Sequence, residues 1–176
     1  MIPMNHRARV ALLMLSALLV ITGCANEKSP PSASPDGGVL VGAWRSKIVF
    51  QSGALAGMKG LEFLSAYNAG GTMTESSNYD EAANSSPPAY GIWKQVAPQV
   101  FQTKYLYFTT RDPAPGESPA NRDWWPAGHG VLTETITLSA DGQTYASTIK
   151  LAIYDTSGAL IAGGGEGTGA GTRIVF

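Results

Sequence analysis

The sequence predicts an all-β domain, an antiparallel up-and-down barrel of eight or nine strands, behind a cleaved leader and a disordered tether. Three observations carry this. Short runs rich in Val, Ile, Thr, Tyr and Phe alternate with turn residues throughout 39–176. No window of eleven or more residues keeps a helical apolar period, and Gly and Pro recur too often for long helices. Successive runs are joined almost entirely by hairpin connections, and closing such a set into a barrel removes its exposed edges. An open sandwich is the alternative.

The leader comes first. His6, Arg7 and Arg9 stand without an acidic neighbour, and an apolar run follows from Val10 to Ile21, broken only by Ser16. That is a basic region and a hydrophobic stretch of signal-peptide length, short of the roughly 20 apolar residues a spanning helix needs. It ends in Ile21-Thr22-Gly23-Cys24, which resembles the lipobox of bacterial lipoproteins. The resemblance implies cleavage before Cys24 and acylation of its thiol, with a lipid bilayer as partner through that anchor. Ala25 is not the aspartate that resembles an inner-membrane retention signal in enteric bacteria, which favours the outer membrane if the source is Gram-negative. Cys24 is the only cysteine, so the processed chain forms no internal disulfide and its fold rests on its core. Losing 1–23 removes Arg7 and Arg9, leaving ten cationic side chains against thirteen acidic ones, a balance that argues against nucleic acid.

Residues 24–38 hold nothing large and apolar and read as a flexible, Pro-extended tether. Within 39–176 the first strand is expected over 39–50. Hairpins follow: 61–67 with 72–78 across Asn68-Ala69-Gly70-Gly71, 90–96 with 100–111 across Ala97-Pro98-Gln99, and 131–139 with 144–154 across Asp141-Gly142. The last pair is 159–163 with 168–176, with the glycine-rich 163–167 as a turn between edge strands. Residues 112–128 form a long loop with four prolines and the pair Trp124-Trp125, and 79–89 form a second.

Facing follows from parity across the Asp141-Gly142 turn. Leu138 opposes Tyr145, Ile136 opposes Ser147, Glu134 opposes Ile149 and Leu132 opposes Leu151, while the Thr-rich positions look outward. Glu134 therefore points into the barrel. In the first hairpin, Glu75 shares the face of Met73 and points inward if Leu64 and Ala66 do; the opposite choice, with Leu61, Phe63 and Tyr67 inward, puts it in solvent. An inward carboxylate needs a partner or a proton. Three explanations compete: an ion pair or hydrogen bond to Arg45, Lys47 or a Tyr, a ligand-orienting group in an apolar cavity, or a catalytic carboxylate pair.

Val41-Gly42-Ala43-Trp44 resembles the Gly-x-Trp motif that opens the first strand of lipocalins and other calycins. The resemblance implies that Trp44 closes one barrel end, with a basic residue of the last strand, Arg173, across its ring. Gly70-Gly71-Thr72-Met73-Thr74-Glu75, Tyr90-Gly91-Ile92-Trp93 and Gly169-Ala170-Gly171-Thr172-Arg173 look like a group of small exported bacterial proteins without an assigned activity. The chain departs from lipocalins proper in having no cysteine pair and no helix after the last strand.

Function classes narrow accordingly. No nucleophilic triad, clustered metal ligands or phosphate loop is in view, so neither a metal nor a cofactor is expected; His129, between two glycines, reads as a solvated loop-end residue. The leading expectation is a lipid-anchored calycin-like barrel binding a small apolar or amphipathic ligand, with Glu134, Glu75, Trp93, Tyr105 and Tyr107 as candidate pocket residues. Such a site requires a cavity of roughly 300 Å³ or more. The alternatives are an allene-oxide-cyclase-like isomerase or cyclase using Glu75 and Glu134 as acid and base, and a structural or interaction lipoprotein with a filled barrel. Binding ranks ahead of catalysis.

Overall fold

A computed structural model describes residues 40–79, 87–117 and 125–176. Cys24, the leader and tether, and Trp124 lie outside the described residues. Among those described, eight strands close into one antiparallel barrel in chain order: β1 (Gly42–Phe50), β2 (Glu62–Tyr67), β3 (Thr72–Ser77), β4 (Ala89–Ala97), β5 (Val100–Arg111), β6 (Trp125–Leu138), β7 (Thr144–Tyr154) and β8 (Leu160–Arg173). Antiparallel pairing of β1 with β8 completes the ring, so each of the eight described strands has a neighbour on both sides.

The period-2 pattern decides which side chains fill the interior. In β1, Trp44, Ser46, Ile48 and Phe50 are buried while Arg45, Lys47 and Val49 are exposed. The β6–β7 ladder has the register that parity dictates, with Glu134 opposite Ile149 and Leu138 opposite Tyr145. Asp141 holds that turn by accepting from the Ser139 hydroxyl and the Gln143 amide at 2.6 and 3.0 Å.

Three expectations are corrected. In the first hairpin Tyr67 pairs with Met73 and Ser65 with Glu75, so Phe63, Ser65 and Tyr67 face inward together with Glu75, and Leu64 faces solvent. The cause lies in Gly70 and Gly71, both at positive φ (96° and 88°), which lengthen the turn by one residue and shift the register. Second, 163–167 is no turn between edge strands. Those glycines belong to one long β8, because the backbone of residues 51–54 lies along them: Gln51 N–H donates to Glu166 O at 2.8 Å and Ala54 N–H to Gly163 O at 2.9 Å. A register shift between Leu151 and Ile153 absorbs the extra β8 residues. Third, the long loop is shorter than expected. Trp125–Gly130 extend β6 to pair with the upper part of β5, and His129 lies in the strand, its ring stacked on Tyr154 at 5.0 Å.

One barrel end is sealed. There Trp44 is fully buried, its Nε1–H donates to Leu40 O at 2.9 Å, and the Arg173 guanidinium lies 4.3 Å from the ring centre. Arg173 also donates to Val41 O at 2.7 Å and Gly142 O at 3.0 Å, tying first strand, last strand and the β6–β7 turn together. Gly42 serves this seal directly. It sits at φ 132°, and a Cβ there would fall 2.7 Å from Arg173 Nη1.

Candidate functional site

Among the described residues, the opposite end is open. The segment 51–60 contributes Leu55 and Met58, the entry to β2 contributes Leu61 and Phe63, and β3 contributes Glu75 and Ser77. Tyr107 and Leu132 face them from β5 and β6, and Tyr79 and Pro87 stand at the rim. These residues enclose a cavity of about 170 Å³. That falls short of the roughly 300 Å³ expected from the sequence for a pocket enclosing a ligand, because inward rings fill the rest of the barrel, and it is close to the ~150 Å³ cavity that admits a single benzene. Tyr79 is held over the 51–60 segment by its hydroxyl, which donates to Lys59 O at 3.0 Å. Two larger concavities, of about 430 and 790 Å³, are lined mostly by outward side chains, the first also by the inward Trp93, Thr103 and Glu134 and the second by Tyr145.

Below the cavity the interior is filled. Eight strands enclose a space just wide enough for side chains, and here it is taken by Tyr67, Met73, Trp93, Phe101, Tyr105 and Ile149. Trp93 belongs to this lower region. Its ring meets Tyr67 and Phe101 edge-on at 6.3 and 5.8 Å, and its Nε1–H points to Asn68 O and Thr72 O, both at 3.1 Å.

The two inward carboxylates differ in surroundings. Glu134 is 4% exposed and lies among Ile149, Tyr105 and Ser147. Burial pushes its carboxyl up to about 7, and the Ser147 and Tyr105 hydroxyls offset part of that rise. The Tyr105 hydroxyl donates to Oε2 over a long 3.5 Å. Glu75 is 7% exposed and lines the cavity. Both carboxylates act on the same phenols, Tyr67, Tyr105 and Tyr145, which burial first and the carboxylates second hold far above the usual phenol range. Tyr107 is raised to about 12 by burial and then by Glu75. These phenols stay neutral at any physiological pH.

The chain matches no known protein family, no curated protein and no solved structure.

Of the residues singled out from sequence, the fold brings Glu75 and Tyr107 to the cavity and places Glu134, Tyr105 and Trp93 in the filled interior beneath it. Trp44 and Arg173 meet at the far end. Among the described residues no group of three or more His, Cys, Asp or Glu is placed to hold a metal ion. Sequence reasoning missed Leu55, Met58 and Tyr79, which come from segments with no periodicity to read. Tyr67 was inward under one of the two facings open to the first hairpin, and the register decides for it while keeping Glu75 inward as well.

Proposed function

We propose that this is a membrane-anchored, calycin-like lipoprotein whose barrel holds the end of a small apolar or amphipathic molecule at its open mouth. The observation that carries it is the asymmetry of the interior: filled and sealed at the Trp44 end, and opening at the other into a mostly apolar cavity with a few polar groups. At about 170 Å³ the cavity suits one ring or a short chain, with the rest of the ligand emerging past Tyr79 and Pro87. The test is native mass spectrometry of the full chain purified from membranes. A co-purified small molecule that disappears when Leu132→Trp fills the mouth supports the reading. No adduct, together with Tyr107 ring resonances unmoved by added amphipathic probes, removes it. For the anchor, labelled palmitate should enter the chain and be lost in Cys24→Ser, and an N-terminal peptide starting elsewhere than Cys24 ends that part of the proposal.

A second reading, an interaction lipoprotein, is favoured by the outer wall near the open end. Cross-strand partners there form two apolar rows, Tyr90–Leu106–Val131–Ala152 and Phe108–His129–Tyr154–Leu160, in which Tyr90, Phe108 and Leu160 are more than 60% exposed. A Phe108→Ser, Leu160→Ser double variant that loses a binding partner but keeps its small-molecule adduct would select it. The isomerase alternative needs both carboxylates on one substrate, whereas only Glu75 lines the cavity.

A further inference from the structure

We propose that the outer wall formed by β4 and β5 is the face by which the barrel lies against the anionic surface of a lipid bilayer. The inference rests on the acyl anchor proposed above and adds to it an orientation of the domain.

Outward side chains differ from wall to wall. On β6, β7 and β8 many are threonines, Thr135, Thr148, Thr168 and Thr172 among them, as suits a solvated sheet face. On β4 and β5 they are large and apolar or cationic. Tyr90, Ile92 and Phe108 are each more than 60% exposed, and the exposed Lys94 and Lys104 stand among them. The ladder brings these groups together: Tyr90 pairs with Leu106, Ile92 with Lys104 and Lys94 with Gln102. Ile92 is thus flanked by one lysine along its own strand and by another across the ladder. With Thr133 and Lys150 these residues line one concavity of about 430 Å³.

Charge singles out an anionic partner. β4 and β5 contain no acidic residue, and neither Lys94 nor Lys104 has an ion-pair partner among the described residues. The outward described acids lie elsewhere. Glu62 and Glu166 are on β2 and β8, Asp141 is in the β6–β7 turn, and Asp112, Glu117 and Asp155 are in the open-end connections. On the opposite wall the cations are offset, Arg45 by its ion pair with Glu62 at 2.7 Å and Lys47 by standing across the ladder from the same Glu62. A chain of net negative charge therefore still turns one cationic wall to an anionic surface.

The apolar share identifies that surface as a bilayer. Exposed Tyr, Phe and Ile beside lysines suit a membrane interface, where rings and branched chains enter the headgroup region and ammonium groups meet lipid phosphates. The band is one-sided, since the threonine wall interrupts it, so the barrel lies on the bilayer and does not span it. Reach allows this. Fully extended, the chain from Cys24 to Leu40 covers roughly 50 Å, more than the roughly 30 Å of a nine-residue strand such as β1. An anchor joined at the sealed end thus leaves the wall free to lie flat, and it makes the contact intramolecular. Tyr90 and Phe108 stand toward the open end, so the mouth comes to rest at headgroup level.

The experiment uses the full chain, processed in cells and reconstituted into vesicles of phosphatidylcholine alone or mixed in equal parts with phosphatidylglycerol. A fluorescent label is placed through Gln102→Cys on the proposed face or Thr172→Cys on the opposite wall, acylation leaving no other thiol, and nitroxide-bearing lipid is the quencher. In the phosphatidylglycerol vesicles the label at 102 is expected to be quenched at least about threefold more than the label at 172, a difference that fades at high salt. Replacing both exposed lysines, Lys94→Gln with Lys104→Gln, is expected to lower the docking equilibrium about thirtyfold. Equal quenching at the two sites overturns the proposed face while flotation with the vesicles upholds the anchor. Shielding at 102 that is the same in both vesicle types, or that survives the double variant, means that a second copy or a protein partner covers the wall and overturns the proposal as well. A chain that does not float with the vesicles removes the anchor and this inference with it.

Discussion

The two ends of the barrel are made from the same eight strands and finish in opposite ways. At the sealed end the strands leave by short turns, 68–71, 98–99 and 139–143, and both indoles there have partners: Trp44 with Arg173 and Leu40 O, Trp93 with Asn68 O and Thr72 O. At the open end all connections but 155–159 are longer, and side chains from the 51–60 segment and Tyr79 surround the interior without filling it. A small barrel can therefore be a packed core over most of its height and a container only at one mouth. On the proposed reading, stability and binding are separated along the barrel axis rather than competing for one site.

Truncation should break this comparison most visibly. Trp44→Ala removes a fully buried indole and its cation–ring contact and is expected to cost about 3–5 kcal/mol by denaturant unfolding. Leu61→Ala, beside an existing cavity, is expected to cost about 2 kcal/mol. Equal losses would mean that the ends are not energetically distinct.

Next in size is the pH response of Glu134. Folding raises this carboxyl from its ordinary 4.5 to about 7, so the folded chain binds the proton more tightly than the unfolded one. The contribution to stability is therefore complete below about pH 4.5, declines as pH rises to about 7, and stays lost above that. The span corresponds to roughly 3 kcal/mol. Glu134→Gln should remove this slope: urea unfolding of variant and wild type differs little at pH 4, and the variant is the more stable by about that amount at pH 8. A difference that stays constant with pH would show that Glu134 is not the group responsible.

A smaller contrast concerns glycine. A methyl at Gly171, at the sealed end, would lie 2.2 Å from the Tyr145 ring, and Gly171→Ala is expected to cost about 1–3 kcal/mol. Gly57→Ala in the open-end segment meets nothing within 4 Å and should leave the melting temperature almost unchanged. Smallest is the outer wall, where Arg45→Ala breaks an exposed pair with Glu62 and should cost no more than about 1 kcal/mol in the same assay.

Much of this design was legible beforehand, for reasons that differ by element. The β6–β7 hairpin could be read residue by residue because its turn is tight and its apolar alternation unbroken, so parity alone fixed Glu134 opposite Ile149. The first hairpin could not. Its alternation allows either face, and the one-residue shift made by Gly70 and Gly71 depends on backbone dihedrals that composition does not reveal. The 163–167 glycines read as a turn because local chemistry favours one, yet the approach of the 51–54 backbone holds them in β8.

By itself, then, the sequence determined the all-β class, the hairpin order, the strand faces of β6 and β7, and Glu134 as an inward carboxylate to explain, while leaving the facing of Glu75 open. These follow from period-2 alternation and turn residues, which act over a few neighbouring positions. Only the tertiary structure decided that Glu134 is enclosed in the filled interior while Glu75 lines an open mouth. That distinction depends on which rings from distant strands occupy the space around each carboxylate, and on where loops with no periodicity come to rest. Cys24, with which the processed chain is expected to begin, belongs to the first kind of information: a short local motif, read without reference to the barrel that follows it.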